Sequence, residues 1–161
     1  MDYLWTPWRY QYIADATKDA TGCIFCDAIA ANDDAKTFIV HRAQKNYVIL
    51  NRYPYTSGHV MVVPYAHIAD LSLADPEILS EMMRLAQKVQ VALENIYHPQ
   101  GYNLGMNLGR AAGAGVTGHI HLHLLPRWPG DANFMTVVGE TRVEPEDLPT
   151  TYQKLRTALA A

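Results

Sequence analysis

The chain has 161 residues, 49% of them hydrophobic and 18% charged, with a formal net charge of −3. This is ordinary globular composition, long enough for one domain that buries roughly 68–70% of its unfolded surface. It excludes a disordered or fibrous chain and a global basic field for nucleic acid; two cysteines, Cys23 and Cys26, are too few for a disulfide scaffold.

The first residues, MDYLWTPWRYQYIAD, hold no apolar stretch that could act as a signal peptide. Nor does any run of about 18 apolar residues predict a membrane span, so a reducing cytoplasm is the expected setting. Residues 1–22 carry Tyr3, Trp5, Trp8, Tyr10 and Tyr12 and read as an arm that lies against the domain or meets a second subunit. TFIVHR (37–42) and NYVILN (46–51) are strand-like, rich in β-branched and aromatic residues. RYPYTSG (52–58) carries turn signals, and HVMVVP (59–64) is a third strand stopped by Pro64. A helix over 76–97 follows: Asp75 caps it, Pro76 opens it, and Ile78, Met82, Leu85, Ala86, Val89, Leu93 and Ile96 recur at its period. Pro99 ends it. Strands are expected at GYNLGMNLG (101–109) and HIHLHLL (119–125), joined by the loop RAAGAGVTG (110–118). The tail from Glu146 to Ala161 suits a short helix. The order predicts an α+β fold, a small antiparallel sheet with one main helix. One domain spans 1–161: the arm, a core over 23–128 that carries the motifs, and an extension over 129–161.

The run GHIHLHLLPRW (118–128) carries the chemistry. Side chains alternate along a strand, so His119, His121 and His123 share one face and Ile120, Leu122 and Leu124 the other. Three imidazoles in a row are poor for packing. Two functions suit them. They could ligate a catalytic metal, or one could be a covalent nucleophile, since imidazole titrates near neutrality and both attacks and leaves phosphorus readily. The Gly-rich loop before the row offers backbone N–H groups without bulky side chains, which suits phosphate oxygens. It is not a P-loop, because no Gly-Lys-Ser/Thr follows and the next element is a strand. Cys23-Ile-Phe-Cys26 has the spacing of half a zinc site or of a redox pair. The redox reading needs a helix start just after the first cysteine in a βαβ setting, which the sequence does not signal.

HIHLHLL resembles the His-φ-His-φ-His-φ-φ signature, φ being apolar, of the histidine triad (HIT) family of nucleotide hydrolases and transferases. NRYPYTSGHVMVVPYAH (51–67) is similar to the family's Asn-x-x-Pro-x-x-x-Gly-His-x-φ-φ-x-Pro segment. The resemblance covers roughly 23–128. NLGMNLG together with HLHLLPRWPGDANFMTVVG resembles the branch that contains diadenosine tetraphosphate phosphorylases.

The resemblance implies a HIT-like fold with roughly five antiparallel strands. It makes His121 the nucleophile on a nucleotide α-phosphate, with a nucleotidyl-histidine intermediate released by water or inorganic phosphate. His123 is expected to stabilise charge on the phosphate and His59 to support the nucleophile's orientation. Asn51 matches a ribose-contacting position; a turn-forming Asn before Pro54 is the alternative. Asn107 resembles a polar residue that reaches toward the phosphates, or it simply faces solvent. Many members carry Gln or Ser four residues before the first triad histidine, and here that residue is Gly115. Backbone N–H groups across Gly113, Gly115, Val116 and Thr117 are expected to replace that side chain, and the gap leaves room for phosphate as acceptor. Arg127 is a phosphate contact or an exposed charge; Trp128 stacks on a base, caps the site or packs. For the cysteine pair the resemblance supplies His67 and His119 as partners in a closed structural zinc site. It also implies a homodimer with sheets joined edge to edge, and adenine nucleotides as substrates, diadenosine tetraphosphate foremost. Other readings are a nucleoside phosphoramidate hydrolase, a metal-dependent hydrolase using the histidine row as ligands, and a nucleotide-binding module without turnover. His41 and His98 match nothing and are expected at the surface.

Overall fold

The structure, a computed structural model, describes residues 22–132 and 145–160. The aromatic arm and the stretch NFMTVVG (133–139) lie outside those residues. The elements run α1 (Ile24–Ala30), α2 (Asp34–Thr37), β1 (Ile39–Arg42), β2 (Asn46–Leu50), β3 (Val60–Pro64), α3 (Pro76–Tyr97), β4 (Gly101–Gly105), β5 (Leu122–Arg127) and α4 (Leu148–Ala160). The strands form one sheet in the order β1-β2-β3-β5-β4, every pair antiparallel.

Strands β2 and β3 are buried at all five positions each. Alternation explains why both faces need apolar side chains. Val48, Leu50, Val60 and Val62 point into the main core with Leu122 and Leu124 of β5. Tyr47, Ile49, Met61 and Val63 point the other way, onto Phe25 of α1. The main core is closed by α3 through Met82, Leu85, Ala86, Val89 and Leu93, and by α4 through Tyr152, Leu155 and Leu159. Helix α3 begins as its sequence dictates. The Asp75 carboxylate accepts the Glu77 N–H at 2.8 Å, and Pro76 occupies the first turn, where a missing N–H costs nothing. His98 ends the helix in the left-handed conformation at φ 46°.

Several boundaries differ from the sequence expectation. β5 begins at Leu122, not at His119, because the backbone before it is tied elsewhere: Ile120 N–H donates to Ile68 O at 2.7 Å. His59 precedes β3, which starts at Val60. β4 stops at Gly105, and β1 starts two residues late, after α2 and a left-handed Phe38 at φ 63°. Helix α1 was not anticipated. It starts immediately after Cys23, which corrects the view that no helix opens there. His41 is half-buried on β1, where burial and the charges of Lys88 and Arg156 lower its pKa, so it is not the surface residue expected. Nothing among the described residues is a helix long and apolar enough to cross a membrane.

Candidate active site and metal centre

The three histidines of the row are not equivalent. His119 belongs to a cluster with Cys23, Cys26 and His67, whose ligand atoms all lie within 4.8 Å of one another. Its Nε2 lies 2.9 Å from the Pro64 carbonyl, which can only accept, so Nε2 carries the proton and Nδ1 keeps its lone pair. That Nδ1 sits 3.3 Å from Cys23 Sγ and 3.8 Å from Cys26 Sγ, and His67 Nδ1 lies 3.5 Å from Cys26 Sγ. A tetrahedral zinc with two sulfur and two nitrogen ligands has edges of about 3.3–3.8 Å, so the donor set fits this metal in spacing and chemistry. Burial pushes the Cys26 thiol up, and neighbouring Cys23 adds to this. A divalent cation between the two sulfurs removes that cost. Cys23 is the N-cap of α1 and Cys26 lies on its first turn, so the short helix hooks onto the row through this cluster. Between the cysteines, Phe25 is 2% exposed and presses its ring on His119 at 5.4 Å and on His121 at 5.0 Å.

His121 lies outside that cluster. Its Nδ1 is 2.9 Å from the His119 carbonyl and must donate to it. Its Nε2 therefore carries a bare lone pair. Among the described residues no hydrogen bond engages that Nε2, and the ring is buried. Burial lowers the His121 pKa and keeps the ring neutral.

His123 is held in the opposite tautomer. The Tyr55 N–H donates to His59 Nδ1 at 3.2 Å, which leaves the His59 proton on Nε2. That Nε2–H donates to His123 Nδ1 at 2.9 Å, so His123 carries its own proton on Nε2. Asn51 Nδ2 also faces His59 Nδ1, at 3.3 Å. Burial, helped by His121, holds the His123 pKa down to about 4. A bare nitrogen and an N–H thus stand on adjacent rings, whose centroids are 4.8 Å apart.

The other expected site residues are distributed around this centre. Asn51 Oδ1 accepts the Tyr53 N–H at 2.9 Å, a turn-forming contact made while its amide faces His59. In the Gly-rich loop, Gly113, Gly115 and Thr117 are exposed, while Val116 packs against the smaller core beside Phe25 and Met61. Gly113 ends a one-turn 3₁₀ segment, Arg110–Ala112, in the left-handed region at φ 86°. Asn107 is half-buried beyond the end of β4. The Arg127 guanidinium donates to both Asp131 oxygens and to Asn103 Oδ1, so each of its three nitrogens already holds a partner. Trp128 is half-buried and donates its N–H to Asp131 at 3.2 Å. Phe25 and Tyr55 were not anticipated from the residues alone; the first sits inside a cysteine motif and the second inside a segment marked only by turn signals.

Fold and site together define a class: a five-stranded antiparallel α+β domain that displays a histidine row beside a Cys/His cluster able to hold a metal. The HIT domain model matches residues 32–130, and the chain belongs to the HIT family. It is 39% identical to the AP-4-A phosphorylase of Mycobacterium tuberculosis H37Rv, over 98% of this chain and 84% of that protein. Among solved structures it is similar to a Zn-bound histidine triad family protein from Mycobacterium smegmatis, with TM-score 0.71 and 32% identity over 87% of this chain and 94% of the other. It is also similar to a hypothetical histidine triad nucleotide-binding protein from Sulfolobus tokodaii, with TM-score 0.70 and 28% identity over 86% and 92% of the two chains.

Proposed function

We propose that this chain transfers a nucleotidyl group through His121, acting at the α-phosphate of a dinucleoside polyphosphate such as diadenosine tetraphosphate. One observation carries the reading: neighbouring histidines are locked in opposite tautomers, His121 with a bare Nε2 and His123 with an Nε2–H. The first is what attack on phosphorus requires and the second is what a phosphate oxygen accepts.

In the first step the His121 Nε2 lone pair forms a bond to the α-phosphorus, and the bond from phosphorus to the bridging oxygen breaks. The leaving nucleoside polyphosphate is a stable anion and takes no proton from the protein. The positive charge that develops on the imidazole is stabilised by the retained Nδ1–H···O=C bond to His119. His123 Nε2–H stabilises the phosphate oxygens. Its orientation is maintained by His59, whose ring is set by the Tyr55 N–H. In the second step water or inorganic phosphate attacks phosphorus, and His121 leaves as neutral imidazole.

The exposed backbone of Gly113, Gly115 and Thr117 supports phosphate binding without a side chain, and leaves room for phosphate as acceptor. The name of the M. tuberculosis relative points the same way. Asn51 and Asn107 remain the candidates for ribose and phosphate contacts, and adenine nucleotides the favoured substrates. Zinc at Cys23, Cys26, His67 and His119 supplies a closed structural crosslink and no catalytic step. Only His119 of the row belongs to that metal-capable cluster, which disfavours a metal-dependent hydrolase built on all three histidines. We also place the chain in the cytoplasm as a single-domain homodimer. The test is product analysis of diadenosine tetraphosphate turnover. With inorganic phosphate, ADP and ATP are expected. Release of AMP whether or not phosphate is supplied rejects the phosphorylase reading, and no cleavage at the α-phosphate rejects the function.

A further inference from the structure

The ring row continues past the catalytic pair. Centroids step from His121 to His123 by 4.8 Å, from His123 to His59 by 5.1 Å, and from His59 to Tyr55 by 4.9 Å. Tyr55 also lies within 27° of parallel to His123, at 6.4 Å. Beyond it opens a cavity of about 730 Å³, whose lining includes Tyr55, Thr56, Asn103, Leu125, Arg127 and Trp128. The register shows how this cavity connects to the site. His123, Leu125 and Arg127 alternate onto one face of β5, and Gly105 and Asn103 of β4 stand opposite His123 and Leu125. At Gly105 a Cβ would meet nothing within 4 Å, so the floor beside His123 is open.

The two sides of His121 therefore differ. One is filled by Phe25, with the Cys/His cluster behind it. The other leads along the sheet face, past Tyr55, to the cavity. In-line displacement at phosphorus needs a way out for the leaving group, and this side provides one. The charged groups of the cavity wall are already matched, Arg127 with Asp131 and Lys154 with Glu146. Recognition there is left to neutral surfaces, among them the Tyr55 ring, 44% exposed, whose centroid lies 6.4 Å from that of His123.

We propose that Tyr55 is a specificity-determining residue for the leaving group, its ring the platform on which the base of a second nucleoside stacks. The assignment rests on the nucleotidyl-transfer reading above. It explains why an aromatic residue is held half-exposed on a loop whose next residue, Thr56, is anchored by a hydrogen bond to Pro126 O at 3.0 Å. A ring held in place loses little freedom when a base stacks on it.

The test is calorimetric binding in a His121→Ala background, where no turnover interferes. AMP reports the transferred half alone, and diadenosine tetraphosphate reports both halves. Adding Tyr55→Ala should weaken the dinucleotide by about 10–100-fold and AMP by less than about 3-fold. Tyr55→Phe should bind both like the parent. Tyr55→Leu, which keeps bulk against His59, should show the same selective loss as Tyr55→Ala. Equal loss for both ligands, or no loss for either, overturns the proposal. If the parent binds neither ligand, the nucleotide reading itself fails, and this assignment with it.

Discussion

His119 and His121 stand two residues apart, touch the same phenylalanine ring, and present opposite ring nitrogens. The difference lies in which nitrogen is spent on the backbone. His119 gives its Nε2 proton to Pro64 O and turns Nδ1 toward two sulfurs. His121 gives its Nδ1 proton to His119 O and keeps Nε2 bare. His119 thereby turns a lone pair toward the cluster that could hold a metal, and His121 turns one away from it, as the proposed nucleophile requires. A backbone carbonyl, which can only accept, decides each case.

The largest loss is expected at His121. His121→Ala should lower turnover by about 10,000-fold or more, while nucleotide still binds and the fold persists. Retained turnover would move the chemistry elsewhere. His59→Ala removes the donor that sets His123, and should cost about 10–100-fold in kcat with a smaller change in KM. A change confined to KM would mean that His59 only shapes the pocket. At the other end, Cys26→Ser should reduce zinc from about one per chain to almost none by metal analysis, and lower Tm by on the order of 10 °C. Parent protein purified without zinc would end the metal assignment.

pH offers a milder probe. The folded His123 titrates near 4, below the unfolded value of about 6.5. Its burial favours the folded state fully above pH 6.5, and that contribution is lost as pH falls toward 4, since the unfolded chain takes a proton that the folded ring refuses. Tm scanned from pH 8 to 4 should therefore decline below about 6.5, and the decline should shrink in His123→Asn. The smallest effect is expected at Asp131. Asp131→Asn breaks a partly exposed ion pair and should shift stability by about 1 kcal/mol or less in a denaturant titration.

Much of the frame was legible in the residues alone. Helix α3 runs from Pro76 to Tyr97 as its cap, its apolar period and Pro99 require, because these signals are local. The strands were legible in place and less so in length, since β5 loses His119 to His121 through ties to Pro64 at the end of β3 and to Ile68 just beyond it, both far away in sequence. Helix α1 was hidden because it spans seven residues and Cys23 makes no side-chain cap bond. The cysteine pair announced a metal or redox site, but its partners came from family resemblance rather than spacing. The tautomers could not be read at all. They depend on the Tyr55 N–H, Pro64 O and His119 O, backbone atoms that any residue type supplies.

Nucleotidyl transfer through His121 requires a covalent bond to one nitrogen. Protein quenched in acid-free denaturant during turnover of diadenosine tetraphosphate, then digested and sequenced by mass spectrometry, should carry an adenylyl adduct on His121 and on no other histidine. An adduct on His119 or His123, or none under conditions where turnover is under way, would contradict it.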